Sequence, residues 1–413
     1  MPASTQQIEP FNLRTTYAHG NPYPVYAAFR AADPVHVQHQ ETADGVSWRE
    51  AFLFRHAECM TALRDSRFGK WERPEGAPAP SPDTFQAVAA NFMLFRNPPG
   101  HTRLRGTANL AFTPRQVERM RPEIERLAAD LAQGMREQDG PVDLISSFAF
   151  PLPMLVIAAM LGIPRDDYRL FRSLAADVAA AIDFPVDGLE EFVARVDRST
   201  AELSAYFRDL IAARRAQPGE DLLTSLITAA DQEGRLSEDE LIATCLLLLV
   251  AGHETTVNLI GNGTLALLNH RDQWDLLSAQ PDLARNATEE LLRFDAPVQL
   301  TTRLVMDDLD LAGVALPAGS AVTTVLGSAN RDETVFADPD RLDITRNVGR
   351  IMSFGMGIHF CLGAPLARLE GEVAFQTLTR EFPHLTLATD NPVWRPGAVF
   401  HGLQTLPLHL DRR

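Results

Sequence analysis

A chain of 413 residues with 45% apolar and 22% charged residues has room for two ordinary domains or one large core, and its composition excludes disordered and fibrous classes. A formal net charge of −16 and a pI near 5.1 exclude indiscriminate binding to nucleic acid or to an anionic membrane surface. The three widely separated cysteines, Cys59, Cys245 and Cys361, exclude a disulfide framework and fit a reducing compartment.

The N-terminal segment "MPASTQQIEPFNLRTT" has no basic region followed by an apolar run, so a cytoplasmic protein without a signal peptide is expected. A helix over "YPVYAAFRAAD" precedes two strand-like runs, "VHVQHQ" and "WREAFLFR", around the turn residues "ETADG", which predicts a hairpin. Residues 71–83 carry four prolines and one glycine and read as a long loop or lid. From about 115 to 294 the apolar spacing is mostly helical. Ser237 with Glu240 three residues on forms a capping box ahead of an apolar run. The next proline is Pro281, so one helix could extend to about His270, roughly 50 Å. Being apolar on several faces, it belongs at the centre of the molecule. Its most apolar stretch, "LIATCLLLLVAG", stops at His253 and Glu254, short of the ~20 residues needed to span a bilayer. After residue 298 strand-like pieces return ("VQLTTRLV", "AVTTVLG", "LPLHL"). No repeat or linker divides the chain, so a single large domain over 1–413, mainly α with a minor β portion, is expected.

The turn "SFGMGIHFCLGAPLARLE" places Cys361 among Gly355, Gly357 and Gly363 at the entrance to an amphipathic helix with Pro365 in its first turn. Free N–H groups and partial positive charge at a helix start favour a thiolate. The glycines let a flat cofactor or another backbone approach closely, and Phe354 can cover the sulfur. A small buried core cysteine is the plain alternative. No CxxC or His pair lies nearby to complete a zinc site, and no third group is evident to orient His359 toward a cysteine nucleophile.

The run from Phe354 to Gly363 resembles the haem-binding signature of the cytochrome P450 family, with Cys361 in the position of the axial iron ligand. The resemblance implies a P450-type fold with a long central helix, a haem b cofactor, and a thiolate that favours O–O cleavage. On the central helix "AGHETT" is similar to the family's oxygen-activation string: Ala251, one turn before Thr255, leaves room for a diatomic ligand, and Glu254 with Thr255 would form the acid–alcohol proton relay. "EELLR" resembles the family's buried Glu-x-x-Arg pair. It assigns structural roles to Glu290 and Arg293, with Arg341 as the second arginine and Asp340 where a glutamate is often found. His101, Arg105, Arg303 and His359 stand where the family contacts the haem propionates. Read alone, an i, i+3 ion pair and surface arginines are the plain alternatives.

The resemblance implies insertion of one oxygen atom from O2 into a hydrophobic small molecule, with electrons from a separate ferredoxin and its reductase. A monomer is expected, with no nucleic-acid or membrane partner. Family geometry suggests a chamber lined by Phe85, Phe92, Met93, Leu248, Ala251, Val298, Leu300 and Phe400. Residues 91–117 contain no Asp or Glu but include Arg96, Arg103, Arg105 and Arg115, which suggests a basic face for an acidic redox partner or a partly buried helix. A peroxide-driven haem enzyme and an interaction protein without chemistry are the competing classes; the intact Glu254 and Thr255 count against both.

Overall fold

The Ser237 hydroxyl accepts a hydrogen bond from the Glu240 N–H (3.2 Å), and the Glu240 carboxylate accepts one from the Ser237 N–H (2.9 Å). This reciprocal cap starts the longest helix of the computed structural model, Glu238–Asn269, which ends at His270 as its sequence predicts. The structure describes residues 10–17, 20–41, 47–72, 81, 84–183, 189–233 and 236–410. The 32 residues of this central helix span about 48 Å. By length and composition it could cross a membrane, but 72% of its most apolar 18-residue window is buried inside the protein, the environment of a core helix.

Helices predominate and the β portion is minor. The helices Pro151–Met160, Tyr168–Ala180, Leu189–Ala216, Ala284–Phe294 and Ala364–Glu381 all pack against the central helix. The predicted hairpin pairs Val35–Glu41 with Ser47–Leu53 in antiparallel register; its turn, 42–46, lies outside the described residues. It forms one edge of a five-stranded sheet that continues through Ala321–Val325 and Leu300–Val305 to Phe68–Gly69. The pairing Gly69↔Leu304 carries Lys70 to the side of Arg303. No sequence pattern announces this long-range contact. Of the proline-rich stretch 71–83, residues 73–80 and 82–83 lie outside the described residues.

The helix Ala364–Glu381 buries Glu370 completely. Burial pushes its carboxyl up to about 8, only partly offset by the nearby Thr256 hydroxyl. An unfolded chain releases that proton near the ordinary value of 4.5. Between those two values the folded state therefore holds a proton that the unfolded state has lost, and stability falls as pH rises toward 8. Glu370→Gln is expected to remove this slope and to be the more stable protein at pH 8, by on the order of a few kcal/mol. Urea midpoints of both proteins at about pH 5 and pH 8 test this; parallel pH dependence would show that Glu370 is not the source.

Candidate functional site

The cysteine turn is held by its own backbone. The Cys361 N–H donates to the Phe354 carbonyl (2.9 Å), and the Cys361 carbonyl faces the Ala364 N–H (3.5 Å) at the start of the helix Ala364–Glu381. Gly355 and Gly357 have φ of +63° and +70°, a conformation that penalises side chains. A Cβ on Gly357 would also lie 2.1 Å from the Leu63 carbonyl oxygen. Gly363 differs from expectation: its φ of −80° suits any residue, and a Cβ there would meet the Cys361 sulfur at 3.9 Å.

Phe354 is buried, and the Arg368 guanidinium lies 4.4 Å from its ring centre. Arg368 is in turn bound by Glu289. For the thiol, the helix-start argument is outweighed. Burial pushes its pKa up, and the Gly363 and Ala364 N–H groups with Arg105 and Arg368 only partly offset it.

Beside the turn, five basic side chains converge. The His101 and His359 rings are 4.3 Å apart. Arg303 donates to the Thr301 hydroxyl and the Thr302 carbonyl (both 3.1 Å), and Lys70 donates to the same carbonyl (3.1 Å). Arg105 donates to Asn109 (3.2 Å). Lys70, His101 and Arg303 are buried. Burial, then Arg303, His101, Lys70 and Arg105, push His359 down to about 2. Burial pushes Arg303 down to about 10, and burial with Arg303 holds Lys70 well below its usual range. Among the described residues no carboxylate is paired with any of the five, and the buried Nε2 of His101 has no hydrogen-bond partner. Such a cluster is costly to fold unless an anion joins it. Lys70 was missed from sequence because only the sheet register brings it here.

The central helix is open at one place. Leu248, Ala251 and Thr255, at i, i+3 and i+7, share a face, and all three are incompletely buried amid buried neighbours. The Thr255 hydroxyl donates to the Ala251 carbonyl (3.3 Å). Glu254 points elsewhere: its side chain is buried, it accepts from the Arg395 guanidinium, and its second oxygen is 3.7 Å from His253 Nε2.

The chain matches the family model for cytochrome P450 over residues 278–401. It is 43% identical to the vitamin D(3) 25-hydroxylase of Pseudonocardia autotrophica over 405 residues, 95% of this chain and 94% of that protein. It is 37% identical to the polyketide biosynthesis cytochrome P450 PksS of Bacillus subtilis, over 95% of this chain and 97% of that one. The chain belongs to the cytochrome P450 family. Among solved structures, P450BioI in complex with an acyl carrier protein ligated to hexadec-9Z-enoic acid superposes with a TM-score of 0.86 at 36% identity, covering 95% of this chain and 99% of that one.

As a P450, the protein is an oxidoreductase, a monooxygenase whose cofactor is haem b. The residues present fit that group: an unneutralised cation cluster with an orphaned His101 nitrogen suits two carboxylates, and the turn offers one sulfur.

Three assignments made from the P450 pattern need correction. Glu290 and Arg293 form a fully buried bidentate pair (2.7 and 2.9 Å), but the second arginine is Arg346, whose Nε donates to Glu290 (3.1 Å). Arg341 is exposed, with its guanidinium 3.9 Å from Asp343. It contributes only its carbonyl, which accepts from Arg293 and Arg346. Phe92 is wholly buried against Phe85 and Phe95, leaving no surface to face a chamber. Leu300 is buried in the aromatic cluster of Phe11, Tyr23, Tyr26, Phe52 and Phe54. Phe85, Leu248, Val298 and Phe400 keep partly open surfaces, with Val298 bridged to Phe400, whereas Met93 is nearly covered.

The basic stretch 91–117 also breaks up. Arg103 is bound bidentately by Glu240 (2.7 and 2.5 Å), Arg105 joins the cation cluster, and Arg96 reaches Asn91 (3.4 Å). Arg115 remains exposed. Nearby exposure is partly apolar: Leu110 on the His101 helix, and Ile358 and Phe360 on the cysteine turn.

Proposed function

We propose that this P450 inserts one oxygen atom from O2 into a hydrophobic small molecule in the cytoplasm, drawing electrons from a separate ferredoxin and ferredoxin reductase, and that the whole chain acts as one domain. The observation that carries this reading is the opening of the central helix at Leu248, Ala251 and Thr255, in a fold that also presents Cys361 and an unneutralised cation cluster. Bound haem supplies oxygen activation, to which a thiolate ligand contributes electron density. Cys361 provides that sulfur, while His101, Arg105, Arg303 and His359, joined by Lys70, hold the two haem carboxylates by charge-assisted hydrogen bonds. The Phe354 ring, fixed by Arg368, keeps water from the sulfur.

Ala251 leaves space beside Thr255. The Thr255 hydroxyl, bonded to its own helix carbonyl, rotates to donate into the opening, and Glu254 replaces the proton it gives up. The partly open apolar side chains Phe85, Leu248, Val298 and Phe400 favour an apolar ligand. The range of the relatives agrees: one is a vitamin D(3) hydroxylase, one serves polyketide biosynthesis, and one was captured with an acyl carrier protein. Exposed Leu110, Ile358 and Phe360 offer an apolar contact for the electron donor, with Arg115 as its charged neighbour in sequence. This support is more apolar than an arginine-rich face would be.

Thr255→Ala tests the relay. The variant is expected to keep the thiolate-type spectrum of its reduced carbon monoxide complex and its affinity for substrate, while product formed per NAD(P)H falls roughly tenfold and peroxide rises in its place. Normal coupling in this variant would remove Thr255 from the mechanism.

A further inference from the structure

Arg368 stands in the second turn of the helix Ala364–Glu381, which begins just beyond Cys361. Its guanidinium lies 4.4 Å from the centre of the Phe354 ring, inside the ~6 Å at which a cation is drawn to an aromatic face. Phe354 in turn holds the cysteine, its carbonyl accepting from the Cys361 N–H (2.9 Å). Two cations, Arg105 and Arg368, favour a charged sulfur at position 361. Arg105 belongs to the cation cluster; Arg368 stands apart from it, bound to a carboxylate instead. That carboxylate is Glu289 on the helix Ala284–Phe294, which accepts from Arg368 Nε and from Nη2 (3.2 Å).

As a tie between two helices, a partly exposed ion pair contributes little. Beside an iron-bound sulfur its two charges act in opposite directions. When the electron donor reduces the haem iron, the site gains one electron while no proton moves and no bond breaks. The added negative charge is shared with the sulfur, where a nearby cation stabilises it and a nearby carboxylate opposes it. The side chains of Arg368 and Glu289 are 33% and 25% exposed, so water weakens their fields without cancelling them. Their order in space decides which prevails. Arg368 touches the ring beside the sulfur, whereas Glu289 is reached across the guanidinium, from the neighbouring helix.

We infer that the Glu289–Arg368 pair tunes the reduction potential of the haem: Arg368 raises it from the Phe354 ring, and Glu289 holds the guanidinium in place and moderates its effect. Both are positioning residues, since they act through the sulfur and its aromatic neighbour. The inference rests on the reading of Cys361 as the iron ligand.

Spectroelectrochemical titration of the haem-loaded, substrate-free enzyme tests it without any need for turnover. Arg368→Met removes the charge and keeps the length of the side chain. At a fixed potential its ferrous-to-ferric ratio should fall about tenfold, which is about 59 mV for one electron. Arg368→Lys should stay close to the parent. Glu289→Gln keeps an acceptor for the guanidinium but loses the negative charge, so the ratio should rise about threefold. Arg380→Met takes the same charge from the exposed far end of the same helix and should change nothing. An Arg368→Met at the parent's potential, a Glu289→Gln that moves in the same direction as Arg368→Met, or an Arg380→Met that shifts as far would each overturn the inference. If Arg368→Met fails to fold, the rise in Glu289→Gln still decides, and its absence overturns the inference equally. The carbon monoxide complex of the reduced parent separates the two readings. With a thiolate-type spectrum and unmoved potentials, Cys361 stands and the tuning pair falls; without that spectrum in the parent, both fall.

Discussion

Arg293→Ala is expected to lower stability by about 3–5 kcal/mol, the cost of leaving one partner of a buried ion pair uncompensated. The whole folded state of a domain is worth only about 5–15 kcal/mol, so the variant should accumulate as unfolded, haem-free protein. The reasons are local. Arg293 and Glu290 are both fully buried. Beyond its bidentate contact to Glu290, the guanidinium donates to the carbonyls of Asn330 (3.1 Å), Pro339 (2.8 Å) and Arg341 (3.3 Å). One side chain thus pins the end of a core helix to the segment 330–341, and its removal strips Glu290 Oε2 of its partner, leaves Oε1 with only the Asp343 N–H and Arg346, and takes a donor from three carbonyls. Arg346→Ala should cost less, about 1–3 kcal/mol, since Arg346 is partly exposed and makes one contact with Glu290. Arg341→Ala should stay within about 0.5 kcal/mol of the parent. Urea unfolding of the three variants checks the order; an Arg341→Ala as damaging as Arg346→Ala would reverse the assignment made from the hydrogen bonds.

That reversal of arginines illustrates what the sequence could disclose and what it could not. The central helix was legible because its signals are local: a capping box at Ser237 and Glu240, and no proline before Pro281. The cysteine turn was legible because fixed spacing and two left-handed glycines leave few alternatives for the chain. The pair Glu290 and Arg293 was also local, one helical turn apart. Its third member was not, because the choice between Arg341 and Arg346 depends on how an irregular loop folds back over the helix. Lys70 and Arg395 escaped for the same reason. One reaches the cation cluster through an edge-strand register, and the other reaches Glu254 from the C-terminal segment, 141 residues away in sequence. Phe92 and Leu300 show a different limit. Their apolar character predicted burial correctly but could not say whether the neighbour was a chamber or a core.

Cys361→Ala is expected to abolish monooxygenation altogether and to remove the thiolate-type spectrum of the reduced carbon monoxide complex. No other cysteine can substitute. Cys59 is wholly buried and donates its thiol to the Leu53 carbonyl (3.2 Å), and burial pushes its pKa far above the usual range. Cys245 is wholly buried on the central helix, with its thiol pushed up to about 12. At position 361 burial also disfavours the thiolate, but there the Gly363 and Ala364 N–H groups, Arg105 and Arg368 oppose that burial. Cys361 would lose its proton fully on ligating the haem iron, as thiol ligands of metal cations generally do. The cation cluster has its own anchors in Thr301, Thr302 and Asn109, so Cys361→Ala should still take up haem, more weakly, through His101, Arg105, Arg303, His359 and Lys70. Reversing two of those charges, with Lys70→Glu and Arg303→Glu in the Cys361→Ala background, should abolish uptake in a haem titration. A thiolate-type spectrum persisting in Cys361→Ala would mean that the sulfur ligand lies elsewhere, and undiminished haem uptake by the triple variant would mean that the cations serve another anion.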